Sequence, residues 1–377
     1  MVTAGAGLVA ALILATATSN AAVSSDSALG ELTALFAPDD PGCAFLVRSH
    51  GQVTLARGYG VRDLHSRAKI DPNTNFRLAS LSKEFTAMAV MLLVNDGRLK
   101  YETTLAELLP GFPDYAQRIT VRHLLTHTSG IADYEELMQA RAEPLYSPTR
   151  QIQDDEVLPL LKQQATPVFV AGDHWAYSNS GYVLLGLIVA KVSGQPFGDF
   201  LNQRIFGPLG MRDTVLFRAG QNSVTRRALG HIRAGDQFVQ SDQSATSATQ
   251  GDGGIYSNVE DLARWDAALE AHTLLSPSAM QPALTPVRLS DGRQARWPET
   301  PDEDNLAPGQ PVAYGFGWFL DPYMGHERMW HFGTTEGFRS AIMRFPAGRL
   351  TVVVLCNRTD VDAIALARHI AEPYLRH

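Results

Sequence analysis

The feature that most constrains this chain is the segment from Ser80 to Asn95, which is apolar on almost every side. After Ser80-Leu81-Ser82-Lys83 come Phe85, Ala87, Met88, Ala89, Val90, Met91, Leu92, Leu93 and Val94. Asp96-Gly97 then ends the run as a glycine-type helix stop. A helix with so little polar surface has to lie in the middle of a folded protein. A hydroxyl and an amine stand at its start, three residues apart. Three helical residues turn about 300° and rise about 4.5 Å, so the two side chains share a face. A poorly solvated lysine loses part of its preference for the charged form. As a neutral amine it can take a serine proton, which turns a weak hydroxyl into a nucleophile. The helix N-terminus adds N–H groups where negative charge would develop. The plainer alternative is an N-cap serine and a solvated lysine. Ser66-Arg67-Ala68-Lys69 repeats the spacing, but it leads into the Asp71-Pro72 turn and reads as a loop.

Around this helix the pattern divides the chain. Cys43–Arg48 and Val53–Ala56, separated by His50-Gly51, read as a hairpin. Residues 76–272 read as mostly helical, with the clearest pieces at Val121–Leu125, Tyr182–Val192, Phe200–Ile205 and Glu260–Leu269. Residues 273–310, rich in Pro and polar residues, read as a surface excursion. Strands return at Arg328–Phe332, Phe338–Phe345 and Leu350–Leu355, and a helix closes the chain over about 360–374. This order predicts an α+β fold. An antiparallel sheet built from both termini (about 40–75 and 311–377) is flanked by helices and carries an inserted all-α lobe (about 76–272). The whole forms one domain over 30–377, with a cleft between lobes as the place for a small molecule.

Two further elements carry chemistry. Tyr177-Ser178-Asn179 opens a helix; a phenol facing the serine can relay a proton, and an amide can hold a substrate amide or ester. Ser178 as a helix cap is the structural alternative. Tyr256-Ser257-Asn258 repeats the motif, but Ser257-x-x-Glu260 reads as a capping box. On a C-terminal strand, His331-Phe332-Gly333-Thr334-Thr335 sets a glycine where backbone can approach a ligand closely. His326-Glu327 and His331 do not make a zinc-protease helix, because the histidines are five apart rather than four. No Gly-x-Ser-x-Gly elbow occurs, and the glycines at 251, 253 and 254 lack the Lys-Ser/Thr ending of a phosphate loop.

Taken together, Phe76-Arg77-Leu78-Ala79-Ser80-Leu81-Ser82-Lys83, Ile119–Gly130, Trp175–Tyr182, Pro208-Leu209-Gly210-Met211, Gly253–Ser257 and His331-Phe332-Gly333 resemble a known family, in order along residues 40–370. It is the family of class C β-lactamases, D-alanyl-D-alanine carboxypeptidases, D-aminopeptidases and β-lactamase-fold esterases. The resemblance implies a serine hydrolase that works through an acyl-enzyme on Ser80, with Lys83 and Tyr177 sharing the proton work as a coupled pair. Asn179 would hold the acyl side of the substrate. The backbone N–H groups of Ser80 and Thr334, the latter just after Gly333, would form the oxyanion hole. His331 would stand where the lactamases use a lysine to read a substrate carboxylate. A neutral histidine is the weaker carboxylate partner, which favours an ester or D-amino-acid peptide over a lactam. Two other departures are Ala171-Gly172 in place of Pro-Gly, and Glu84, which could alter the pKa of Lys83. The resemblance also implies no cofactor and no metal. It sets the last strand antiparallel beside the first, so a Cys43–Cys356 disulfide is conceivable. A catalytically silent ligand-binding protein is the alternative reading, and a metallohydrolase a more distant one.

The formal charge of −7 gives no reason to expect nucleic acid as a partner. No segment after the N-terminus is apolar for long enough to make a stable membrane span. Residues 1–22 read as an export signal, a short small-residue apolar run from Gly7 to Ala17 with cleavage after Ala17, Ala21 or Ala22. A periplasmic or secreted protein follows, although the usual basic residue before the run is missing.

Overall fold

Along the first long strand, β1 (Cys43–Ser49), successive side chains enter two different cores. Ala44 and Leu46 face the core shared with the helical lobe, while Cys43, Phe45 and Val47 point to the opposite face. Alternation with both faces apolar marks a strand covered on both sides. In this computed structural model, which describes residues 30, 36–141, 143–297 and 310–376, β1 belongs to a five-stranded antiparallel sheet. Its companions are β2 (Gln52–Tyr59), β3 (Met329–Thr335), β4 (Phe338–Phe345) and β5 (Leu350–Cys356), in the spatial order β2-β1-β5-β4-β3. Both ends of the chain therefore build the sheet, as the α+β reading expects, and β3 is left at its edge.

The longest helices are α1 (Ser82–Asn95), α2 (Asn179–Ser193), α3 (Val259–Glu270) and α4 (Ala363–Leu375). The Asp362 carboxylate caps α4 by accepting from the Ile364 and Ala365 N–H groups, both at 2.9 Å. That helix packs on β4 and β5. On the other face, Asp266 of α3 accepts from Arg48 of β1 and Thr351 of β5, each at 2.8 Å, and from Arg344 of β4. Three strands are thus tied to one helix by a buried charge that is fully paired, the condition under which burial is tolerated. Beyond α3, α1 and α2 pack together as the centre of the helical lobe.

The structure departs from the sequence reading in three places. The lobe at 76–272 is not all-α: Phe76–Arg77, Val215–Leu216 and Ile255–Ser257 form a small sheet, and His231–Ala234 pairs with Gln237–Gln240. Strands of two to four residues are too short to leave a periodic signal. Residues 273–297 are not a surface excursion, because Leu275, Met280 and Ala283 enter one core and Leu289, Ala295 and Trp297 the other; the rest, 298–309, lies outside the described residues. The cap of α3 is Asn258, whose Oδ1 accepts from the Asp261 N–H at 2.8 Å, while Ser257 bonds sideways to Thr214. The expected export signal also lies outside the described residues. Among the described residues, no helix is long and apolar enough to cross a membrane.

Cys43 and Cys356 stand directly opposite each other in the β1–β5 register and form a disulfide, with Cα atoms 4.0 Å apart. Because the strands are already paired, the bridge acts mainly by restricting the unfolded chain. For a link across 313 residues, loop entropy gives about 6 kcal/mol, or roughly 7 °C in Tm for a chain of this size. The Cys43→Ala/Cys356→Ala protein should melt lower by about that amount, and reductant should then have no further effect on its calorimetric Tm.

Candidate active site

Leu78 is held on both sides just before the helix begins. Its N–H donates to the Ile255 carbonyl at 2.9 Å, and its carbonyl accepts from the Ser340 hydroxyl of β4 at 2.8 Å. Ala79 follows with φ of +50°, a left-handed conformation that a side chain other than glycine rarely adopts. Strain of this kind persists where surrounding contacts enforce it, often at functional sites. Here it turns the chain into α1 and leaves Ser80 lining the cleft. Gly333 of β3 lies against this turn, and a Cβ there would collide with the Leu78 carbonyl. The glycine in His331-Phe332-Gly333 is therefore a packing requirement of the nucleophile segment.

Lys83 is fully buried, yet its Nζ has three partners. It lies 3.0 Å from Ser80 Oγ, 2.8 Å from Asn179 Oδ1 and 3.1 Å from the Asp252 carbonyl. A neutral amine has two hydrogens and one lone pair. The two carbonyl oxygens can take the hydrogens, which leaves the lone pair for the Ser80 hydroxyl. Burial pushes the Lys83 pKa down to about 8, opposed by the carboxylates of Asp252, Glu135 and Asp133. At pH 7 about one molecule in ten then holds the amine uncharged. Glu84 is not among the main causes of this shift. Its carboxyl turns away to accept from the Trp265 indole of α3 at 2.9 Å, and burial raises its own pKa well above the usual carboxylate range.

Asn179 is placed by the start of α2. Ser178 caps that helix by accepting from the Gly181 N–H at 3.1 Å, as its structural reading expects. The Asn179 N–H itself donates to Asp133 Oδ2 at 2.8 Å. Tyr177 lines the cleft with Ser80, and the Lys83 Nζ lies 4.8 Å from its ring centroid. The edge strand β3 completes the site. Trp330 exchanges both of its backbone hydrogen bonds with Phe319 on the outer side, at 2.8 and 3.0 Å. By the two-residue period of a strand, Phe332 and Thr334 present their N–H and C=O groups on that same outer edge. Phe332 and Thr334 both line the cleft.

His331 sits differently from its expected role. It is fully buried and absent from the cleft lining. Its Nε2 meets the Tyr314 hydroxyl at 3.1 Å, its Nδ1 meets the Phe332 carbonyl at 2.7 Å, and burial pushes its pKa down to about 3. Its ring is enclosed by Tyr314 and Phe319, so it packs behind the cleft lining and is not presented to a substrate carboxylate. The second Ser-x-x-Lys is a surface loop, with Ser66 bonded to Asp63 and Lys69 to Asp39.

Sequence reasoning missed the walls of the cleft, which encloses about 330 Å³. One wall is acidic: Asp133, Glu135, Glu136 and Asp252, against one guanidinium, Arg77. Burial raises Asp133 to about 6 and Glu135 to about 7, and each feels the other carboxylates. Asp252 is nearly fully buried; its Oδ2 accepts from the Tyr134 hydroxyl at 2.9 Å, and its Oδ1 has no partner among the described residues. These carboxylates do not converge into a metal-holding group. Arg77 turns inward to the Ser247 and Gly253 carbonyls, at 3.0 and 3.3 Å. The opposite wall is aromatic, formed by Tyr177, Trp297 and Phe332. The run of acids just after Thr128-Ser129-Gly130 was the one sequence signal that could have indicated the acidic wall.

Fold and serine–lysine pair together are those of a serine hydrolase. Residues 34–374 match the Beta-lactamase family, and the chain belongs to it. Penicillin-binding protein 4* of Bacillus subtilis is 32 % identical over 348 residues, covering 87 % of this chain and 72 % of the relative. The flp protein of Staphylococcus aureus strain MW2 is 27 % identical, covering 89 % of this chain; the match spans 64 % of flp, just under two thirds of its length. Among solved structures, the octameric penicillin-binding protein homologue of Pyrococcus abyssi superposes with a TM-score of 0.75 at 25 % identity, over 93 % of this chain and 76 % of the other. The D-amino acid amidase of Ochrobactrum anthropi SV3 shares the fold with a TM-score of 0.72 at 24 % identity, over 95 and 96 %.

The Lys83 geometry predicts a rising limb in the pH profile of kcat/KM with a midpoint near 8. Removing the Asp252 charge removes support for the ammonium, so Asp252→Asn should move that midpoint to lower pH. A midpoint that stays in place in stopped-flow acylation assays would separate Lys83 from the limb.

Proposed function

We propose that the chain hydrolyses amides or esters of small amino acids through an acyl-enzyme on Ser80, and that D-amino acid amides are its best substrates. Lys83 takes the Ser80 proton as Oγ attacks the carbonyl carbon. The N–H groups of Ser80 and Thr334 hold the oxyanion. Tyr177, coupled to Lys83, passes the proton to the leaving nitrogen or oxygen as the carbonyl bond breaks. Water then attacks the acyl-enzyme by the reverse proton route and releases the acid. No step calls for a cofactor.

The acidic wall beside Ser80 carries the choice of substrate. A cleft with four carboxylates to one guanidinium suits an ammonium group and repels a free carboxylate. The substrate carboxylate of a penicillin would meet this wall with no lysine to receive it, since His331 is buried and uncharged. A D-amino acid amide brings the ammonium, and the aromatic wall suits its apolar side chain. The family and the D-amino acid amidase fold neighbour support the same class. The disulfide supports export, because such bonds persist in oxidising compartments.

A fluorophosphonate should label Ser80 in intact-protein and peptide mass spectra, and Ser80→Ala should abolish both labelling and turnover. D-phenylalaninamide should exceed its N-acetyl analogue by more than tenfold in kcat/KM, about 1.4 kcal/mol, with nitrocefin slow. Below pH 7 Glu135 takes up a proton, so the KM for the free amine should rise as pH falls. Glu135→Gln should raise KM at pH 8 as well. Equal turnover of amine and acetylated amide would overturn the substrate assignment and leave the serine mechanism standing; turnover by Ser80→Ala would overturn the mechanism.

A further inference from the structure

His127 has no part in the chemistry described above, yet it is held from several sides. It is buried, and its φ of +59° lies in the left-handed region, uncommon for residues other than glycine. That backbone turn aims two acceptors at the segment just before α2. The His127 carbonyl accepts from the Ala176 N–H at 3.0 Å, and the His127 Nδ1 accepts from the Ser178 N–H, also at 3.0 Å. The two bonds bracket Tyr177. The imidazole also packs on the Tyr177 ring, with centroids 4.4 Å apart and planes inclined by 34°. Trp175, Tyr182 and Tyr314 surround the other sides at 4.7 to 5.6 Å.

We infer that His127 is a positioning residue for Tyr177, a three-point clamp that fixes the phenol against the Ser80–Lys83 pair through one backbone acceptor, one ring-nitrogen acceptor and one ring contact. This rests on the proposed role of Tyr177 in proton transfer. Because Nδ1 accepts from a backbone N–H, the ring proton sits on Nε2. That nitrogen is buried among aromatic rings with no hydrogen-bond partner among the described residues. A ring held so serves neither as a base nor as a ligand to substrate. Burial and the neighbouring Lys83 push its pKa well below the usual histidine value, so the imidazole stays neutral and the amine beside it stays easy to deprotonate.

Two substitutions separate the parts of the clamp. Asparagine tolerates left-handed backbone, and its Oδ1 can replace Nδ1 as acceptor; leucine supplies neither property. Misplacing a proton-transfer group by about 1 Å costs on the order of 100-fold. His127→Leu should therefore lose about that much in kcat with KM within twofold, and His127→Asn should keep activity within about tenfold of wild type. The deciding measurement repeats both in a Tyr177→Phe background, following acylation of Ser80 by a fluorophosphonate. If His127 acts through the phenol, each substitution then changes the acylation rate by less than about twofold. The same loss in both backgrounds, or a His127→Leu protein as active as wild type, would overturn the clamp and leave the role of Tyr177 intact. A fully active Tyr177→Phe protein would overturn both. Should His127→Leu fail to fold, the Asn variant carries the comparison alone.

Discussion

The structure is organised around keeping one amine dry. Lys83 is fully buried, where a charged ammonium is costly unless it is paired and hydrogen-bonded. Among the described residues, no carboxylate oxygen touches it. Its partners are a hydroxyl, a side-chain amide and a backbone carbonyl, all of which a neutral amine can satisfy. The acids that raise its pKa act at a distance and only partly offset the effect of burial. A direct salt bridge would have fixed the proton on the lysine and abolished its use as a base. The arrangement holds it between those limits, solvated enough to stay in place and dry enough to give the proton up.

That balance dictates much of the fold around it. The three partners of Lys83 come from the start of α1, the start of α2 and the glycine-rich loop before Ile255–Ser257. The amine is correctly placed only if all three converge. Each is pinned by a bond that does nothing for chemistry directly: Leu78 by Ser340 and Ile255, Asn179 by Asp133, and Asp252 by Tyr134. Thr86 adds a fourth, donating to the Gly251 carbonyl at 2.6 Å. Of the non-glycine residues with left-handed backbone, Ala79 and His127 are the two beside the reacting groups. Strain at such positions is affordable because α1 is buried on every side and cannot relax outward.

What the sequence revealed followed from distance along the chain. The serine and lysine were legible because three helical residues bring them together whatever the rest of the protein does. Strands β1, β4 and β5 were legible because they are long, apolar and bounded by turns. The Asp252 carbonyl, 169 residues from Lys83, is backbone and carries no residue signature at all. The direction of His331 was not legible either. Its motif position was right, but its ring turns into the buried cluster of Tyr314 and Phe319, and Phe332, Thr334 and Thr335 line the cleft. The acidic wall depends on the short helix Tyr134–Gln139 packing against the loop at 246–253, where the Tyr134 hydroxyl meets Thr249 and Asp252, a pairing that no local pattern encodes. The family resemblance supplied the disulfide, through strand order and not through the cysteines themselves.

These two kinds of residue also divide the labour of the site. The groups that move protons sit on α1, on the start of α2 and on the edge of the sheet, all rigid elements with both faces packed. The groups that meet the rest of a substrate lie largely on the short helix Tyr134–Gln139 with its cap Asp133, and on the loop at 246–253, with Trp297 from a third segment. Loops change composition with little effect on the core they connect. A charge reversal at Glu135 and Glu136, which make no hydrogen bond to Lys83 or Asn179, would leave the Lys83 hydrogen bonds as they are, while altering both which substrates bind and, through the field on the amine, the pH at which they react. Specificity and pH optimum are therefore linked in this scaffold: the carboxylates that attract a cation also raise the pKa of Lys83. A relative that prefers anionic substrates, with the acids removed, should carry a more readily deprotonated lysine and work at lower pH. The same electrostatic field selects the substrate and sets the base.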